Sequence, residues 1–175
     1  MRVLITAASR HGATTEVAQA IAGVLSKAGF DTSVHRPEDV DSVESYDVVV
    51  LGSAIYLGRW LSAAKDFARR NAELLAARSV WLFSTGPVGA TLPTDEPADV
   101  AAMQELTGAR DHRLFGGRLD RDQLGLTEKA IVRLVGASSG DDRPWEDIEA
   151  WATGIARALG ASLQAPAAVG ADMPA

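Results

Sequence analysis

The opening residues, MRVLITAASRHGATTE, constrain the fold more than any other stretch of the chain. Arg2 to Ala7 is an apolar run rich in β-formers and reads as a strand. Ala8 to Ala13 is short, small and polar, and Thr14 and Thr15 then open a segment of helical periodicity. Strand, tight loop and helix start together build an anion site. The first N–H groups of a helix have no partner within it, and the helix dipole is positive at that end. A phosphate placed there is held by N–H groups and hydroxyls, with no metal required. Ser9, Thr14 and Thr15 supply hydroxyls, and Gly12 lets the backbone turn with positive φ. Arg10 and His11 stand on the rim, where His11 is either a proton donor near the site or a solvent-facing loop residue. The same Ser and Thr can instead simply cap the helix. The loop has neither the G-x-x-x-x-G-K-S/T pattern of a nucleoside-triphosphate loop nor the G-x-G-x-x-G pattern of a dinucleotide fold.

Composition narrows the chemistry. There is no cysteine in the 175 residues, which removes disulfides, thiol nucleophiles and cysteine-ligated metals. Redox chemistry on such a chain must come from a bound organic cofactor. A net charge of −6 argues against nonspecific binding to nucleic acid. No run approaches the roughly 20 apolar residues that span a bilayer, and no signal-type segment opens the chain, so a cytoplasmic location is expected. Residues 1–160 read as a single domain, and the Ala-, Pro- and Gly-rich tail 161–175 is expected to be mobile.

Further along, Val17, Ile21, Val24 and Leu25 form a helical stripe, with Gly29 after it as the C-cap. Asp31 to His35 is a second strand. Val48 to Leu51 is continuously apolar, as a strand covered on both faces should be. The segment SAIYLGRW, Ser53 to Trp60, reads as a loop at the carboxyl end of this strand. Ligands of open parallel sheets bind at that edge. Trp60 is assigned to packing; Tyr56 can either pack or meet a ligand ring. Leu61 to Ala77 reads as one amphipathic helix, and Val80 to Ser84 as a buried strand with Trp81 in the core. Thr85-Gly86-Pro87-Val88-Gly89 is the third loop on the same edge, where Gly86 and Gly89 leave room for a planar group. A plain Gly-Pro turn is the alternative there. Then follow a helix over Asp95 to Leu106 capped by Thr94 or Asp95, a last strand Arg113 to Leu119, and a short helix Leu126 to Val135. Pro144 stands at the first position of the final helix, whose Trp145, Ile148, Trp151, Ile155 and Leu159 serve packing.

The form ASRHGATTEVAQAIA resembles the hydroxyl-rich S/T-x-x-G-x-T phosphate loop of flavodoxins. With DVVVLGSAIYLGRW, VWLFSTGPVG, RLFGGRL and GDDRPWEDIEAWA in that order, the chain is similar over most of residues 2–160 to flavodoxin-like proteins related to menaquinone-dependent protoporphyrinogen oxidase. The resemblance implies an α/β flavodoxin-like fold: a five-stranded parallel sheet in the order 2-1-3-4-5, with helices on both faces. It implies FMN as cofactor. Ser9, Arg10, His11, Gly12, Ala13 and Thr14 would hold the phosphate. Ser53, Ala54, Ile55, Tyr56, Leu57 and Gly58 would flank one side of the isoalloxazine, and Thr85, Gly86, Pro87, Val88 and Gly89 the other. Its partner would be a redox protein or a small-molecule substrate. Gly89 to Gly140 is mixed in charge, where the quinone-linked oxidases are basic and aromatic, so attraction to an anionic membrane should be weak. Three readings follow: an FMN electron carrier or small oxidoreductase, a protoporphyrinogen oxidase using quinone or oxygen, and a non-redox module binding a phosphate ligand or a partner.

Overall fold

The apolar runs at residues 3–8, 48–51 and 80–84 become strands with both faces covered. A computed structural model describes residues 1–86, 99–119 and 140–164 of the chain. Its elements in order are β1 (Arg2–Ala8), α1 (Ala13–Lys27), β2 (Asp31–His35), β3 (Val48–Tyr56), β4 (Arg59–Trp60), α2 (Ser62–Arg70), α3 (Ala72–Ala76), β5 (Ser79–Thr85), α4 (Val100–Thr107), β6 (His112–Phe115), β7 (Arg118–Leu119), β8 (Gly140–Asp141) and α5 (Trp145–Gln164). The main sheet runs β2-β1-β3-β5-β6, and every neighbouring pair on that path is parallel. Setting β4 aside, this is the expected 2-1-3-4-5 order. β4 adds an antiparallel pair to β3, and β7 with β8 forms a separate two-stranded ribbon.

Alternation along each strand divides the core in two. Val3, Ile5 and Ala7 of β1 face Val17, Ile21 and Leu25 of α1 and Ile148, Trp151 and Ile155 of α5. Leu4 and Ala8 face the other way, toward Phe67 of α2, Leu75 of α3 and Val100 and Met103 of α4. Both sheet faces are thus dry, which is why β3 and β5 read as unbroken hydrophobic runs. Helix α1 closes where expected. Gly29 takes φ 93°, and the Phe30 and Gly29 amides donate back to Leu25 O and Ser26 O at 3.2 and 3.0 Å. That is the left-handed C-terminal motif that glycine favours.

Five expectations need correction. The segment Ser53 to Trp60 is not an open loop: β3 continues to Tyr56 and turns through Leu57 and Gly58 into β4. Leu61 to Ala77 is two helices, broken at Asn71. The buried Asn71 amide donates to Phe67 O at 3.1 Å, and its oxygen accepts from Val43 N at 3.2 Å, so it cannot continue the helix as a passive position. RLFGGRL is not one strand. It parts at Gly116 and Gly117, and Arg118–Leu119 pairs with β8 instead. Trp145 does not share the packing role of Trp151; it is 39% exposed, with the Arg143 guanidinium 4.5 Å from its ring centroid. The helix expected over Asp95 to Leu106 begins at Val100, with Asp99 at the cap position. Its supposed caps and the helix Leu126 to Val135 lie outside the described residues; of the expected tail 161–175, residues 161–164 continue α5 and the rest lies outside them too.

Candidate functional site

Parallel strands place their carboxyl ends on one edge, and the register brings them level. Ala8 of β1 lies opposite Ser53 of β3, Ala54 opposite Thr85 of β5, and Thr85 opposite Phe115 of β6. The three segments singled out in the sequence leave from this edge.

In the first segment, Gly12 takes φ 82° as the N-cap residue of α1, and no side chain caps the helix. A Cβ at Gly12 would meet nothing within 4 Å, so the site selects glycine for its backbone angle and not for space. Ser9 and His11 are half-buried and Arg10 is exposed. Ala13 and Thr14 begin the helix, and Thr14 is 1% exposed. The Thr14 hydroxyl lies 2.8 Å from that of Thr85, joining the first segment to the third. The Arg10 guanidinium sits 4.4 Å from the Tyr56 ring centroid, joining the first to the second.

In the second segment, Leu57 and Gly58 take φ 51° and 72° between the paired residues Tyr56 and Arg59. Positive φ at both central positions is the two-residue turn that suits a twisted hairpin. Leu57 is the one non-glycine residue with positive φ among the described residues, and it is 67% exposed. A left-handed leucine costs about 1 to 2 kcal/mol, a strain that tends to gather at functional sites. Ala54, Ile55 and Tyr56 are half-buried. Ser53 is fully buried, and its hydroxyl is engaged within the hairpin, donating to Ala54 O at 2.9 Å and accepting from Leu61 N at 3.0 Å. In the third segment, Thr85 is buried and the Gly86 amide donates to Phe115 O at 2.8 Å. Pro87, Val88 and Gly89 lie outside the described residues.

Contacts between distant parts of the chain, invisible to periodicity, brace this edge. The Trp60 indole donates to Ser84 Oγ at 2.8 Å, and His112 Nε2 lies 2.8 Å from the same oxygen. Asp99 accepts from the Trp60 amide at 3.1 Å and from Lys65 Nζ at 3.2 Å. Packing is thus the right assignment for Trp60, which is 2% exposed. Beside the first turn of α1, Glu16 meets Arg143 at 2.6 Å and Arg118 at 3.0 Å, and Arg143 pairs with Asp141 as well. The only hint of this cluster in the sequence is an acidic residue in a first helical turn.

The Arg143 hydrogen bonds hold both the Glu16 and Asp141 carboxyls below their ordinary values of 4.5 and 3.8. Asp141 and Glu16 in turn raise the Arg143 guanidinium further above its ordinary value. Carboxyls with lowered pKa in the folded state stabilise it fully above their unfolded values, and that stabilisation is lost as pH falls through the folded ones. Denaturant midpoints between pH 7 and pH 3 should therefore fall more steeply for the native chain than for Glu16→Gln.

Among the described residues, no cluster of His, Asp and Glu suits a metal ion, and no helix is long and apolar enough to cross a membrane. A parallel sheet of this order, with helices on both faces and a glycine-started helix leaving its carboxyl edge, is a flavodoxin-like arrangement. A family model described as flavodoxin domain matches residues 4–144, and the chain belongs to that family; it is an FMN-binding, flavodoxin-like redox protein. It is 27% identical over 173 residues to the protoporphyrinogen IX dehydrogenase (quinone) of Escherichia coli strain K12, covering 89% of this chain and 95% of the relative. Among solved structures, a flavodoxin from the domain Archaea superposes with a TM-score of 0.61 at 16% identity, covering 91% of this chain and 99% of that one. The rubredoxin oxygen:oxidoreductase of Desulfovibrio gigas superposes with a TM-score of 0.63 at 15% identity; 94% of this chain matches 37% of that longer one. At such identities the structural likenesses carry the fold alone.

Proposed function

We propose that FMN is held on the carboxyl edge of the sheet by Ser9, Arg10, His11, Gly12, Ala13 and Thr14 at its phosphate. Its ring lies between the β3–β4 hairpin, Ser53 to Gly58, and the segment that starts at Thr85 and Gly86. The observation that carries this reading is the pair of contacts tying the three strand ends together, Thr14 to Thr85 and Arg10 to Tyr56. The residues fit the cofactor. An uncapped helix start leaves N–H groups for a dianion, the buried hydroxyls can turn toward it, and an exposed leucine and a tyrosine suit a flat ring. FMN supplies the redox chemistry, and the chain supplies binding, orientation and exclusion of water. A cytoplasmic protein exchanging electrons with a redox partner or a small-molecule substrate is the setting this reading assigns.

The hairpin and the phosphate segment make separable contributions. Tyr56→Ala should weaken FMN and riboflavin alike, by roughly tenfold, because it removes a ring contact common to both. Titration by flavin fluorescence measures this; a loss confined to FMN would move Tyr56 to the phosphate end.

A second reading rests on the 27% identity that spans nearly the whole of the E. coli dehydrogenase. On it, this chain oxidises a porphyrinogen. Protoporphyrinogen added without oxygen to an excess of the oxidised, FMN-loaded protein should then bleach the flavin absorbance and yield the fluorescent porphyrin, with three flavins reduced by two electrons each for every porphyrin formed. An unchanged spectrum rejects this second reading and leaves electron transfer with a partner protein.

A further inference from the structure

A guanidinium carried near the end of the chain touches the start of its first helix. The Arg143 side chain is 3% exposed, and a charge so deeply buried requires partners on every side. Two of its nitrogens form a fork on Asp141, at 2.7 and 2.5 Å. The third meets Glu16 Oε2 at 2.6 Å and lies 3.5 Å from Ala13 O. Arg118 reaches the same Glu16 at 3.0 Å from the opposite strand of the ribbon. Both strands of the β7–β8 ribbon are thereby fastened to the first turn of α1.

The other contacts of the ribbon point to the same edge. A Cβ on Gly117 would come within 1.9 Å of Gly86 O, and one on Gly116 within 2.2 Å of Asp142 O. These two glycines permit the ribbon to close onto the third segment, and Asp142 N donates to Gly117 O at 3.0 Å to hold the closure. The ribbon therefore touches the first and third segments together. Two arginines face two carboxylates here, so the cluster brings no surplus positive charge to the phosphate end. What it can supply is geometry.

We infer that Arg143 is a positioning residue for the phosphate segment: through Glu16 and Ala13 it fixes the first turn of α1, so that the amides of Gly12 to Thr14 are set for the phosphate before FMN arrives. The inference rests on the FMN reading above. A group held ready in its binding geometry raises affinity by removing the ordering cost at the moment of binding. The Arg143 contacts go to the first turn of α1 and not to the third segment, which Gly117 approaches, so the gain falls on the phosphate end, and this separates the role from general support of the fold.

The test compares Arg143→Gln and Arg143→Lys with the native protein in two measurements. Titration with FMN and with riboflavin should show FMN weakened about tenfold or more in Arg143→Gln and riboflavin by less than about twofold. Arg143→Lys, which keeps the charge but cannot fork onto Asp141 while reaching Glu16, should fall between. Hydrogen exchange on the cofactor-free proteins should show Glu16, Val17 and Ala18 amides exchanging faster in Arg143→Gln, with those of β3 and β5 unchanged. Equal losses for FMN and riboflavin, or unchanged FMN affinity, would overturn the inference. If Arg143→Gln does not fold, Arg118→Gln removes the more exposed tie to the same carboxylate. It should weaken FMN about threefold with riboflavin unaffected, and no selective loss there overturns the inference equally. If the native protein itself binds no FMN, the FMN reading fails on its own. The exchange comparison then still decides whether Arg143 orders the first turn.

Discussion

Thr14→Val should weaken FMN by roughly 1 to 3 kcal/mol, or about 5- to 150-fold in Kd, and lower the stability of the free protein. The effect on stability follows from the contact seen here. Thr14 and Thr85 share a buried hydrogen bond of 2.8 Å, and valine leaves the Thr85 hydroxyl enclosed without that partner. The effect on binding follows from position, since Thr14 is the second residue of a helix whose start has no side-chain cap. A phosphate oxygen brought there loses a hydroxyl donor that valine cannot replace. Thr14→Ser keeps the donor and should recover most of the FMN affinity. Riboflavin, which has no phosphate, should be weakened far less than FMN. Equal weakening of the two flavins would place the hydroxyl's role in the fold and away from the phosphate.

Gly52→Ala should be the most destabilising single methyl addition in the sheet. Gly52 lies in β3 between Ala7 of β1 and Phe83 of β5. A Cβ there would stand 2.1, 2.3 and 2.6 Å from three carbons of the Phe83 ring. The ring has little room to move, because Phe115 and Trp151 pack on it with centroids 6.4 and 6.3 Å away. Overpacking of this kind costs about 1 to 3 kcal/mol and sometimes more. The upper end corresponds to a fall in Tm of roughly 6 to 12 °C for a chain of this size. Gly52→Ala combined with Phe83→Leu should regain part of the loss, since the smaller side chain frees the space. A thermal melt unchanged by Gly52→Ala would mean that the ring and strand can separate at no cost.

The fold was legible because its signals are local and repeated. Continuous apolar runs marked strands buried on both faces, and 3.6-residue stripes marked the helices between them. Alternation of the two pointed to a parallel sheet, and the resemblance to flavodoxins supplied its strand order. The local geometry of the first segment was legible for the same reason: strand, Gly12 at positive φ and the helix start are contiguous. The hairpin at Leu57 and Gly58 was not. Its turn uses a leucine at positive φ, which no propensity favours, and the hairpin is held through Trp60, which bonds Ser84 of β5 and Asp99 ahead of α4. Asn71 broke a helix whose periodicity continues through it, because its amide answers a backbone group 28 residues away. RLFGGRL reads as one strand until Asp142 and Gly86 are known to approach its two glycines. Arg143 and Glu16 are 127 residues apart, and nothing in either neighbourhood announces the other. Long-range polar contacts are the common element in what was missed, and periodicity carries no information about them.

The central claim is that the first loop of this chain is a phosphate anchor for a flavin on the sheet's carboxyl edge. Titration of the purified protein with FMN, FAD and riboflavin, followed by flavin fluorescence, tests it most directly. The account predicts saturable one-to-one binding of FMN, much tighter than that of riboflavin, with the difference narrowed by Thr14→Val. Equal affinity for FMN and riboflavin, or no binding of FMN at high concentration, would contradict it.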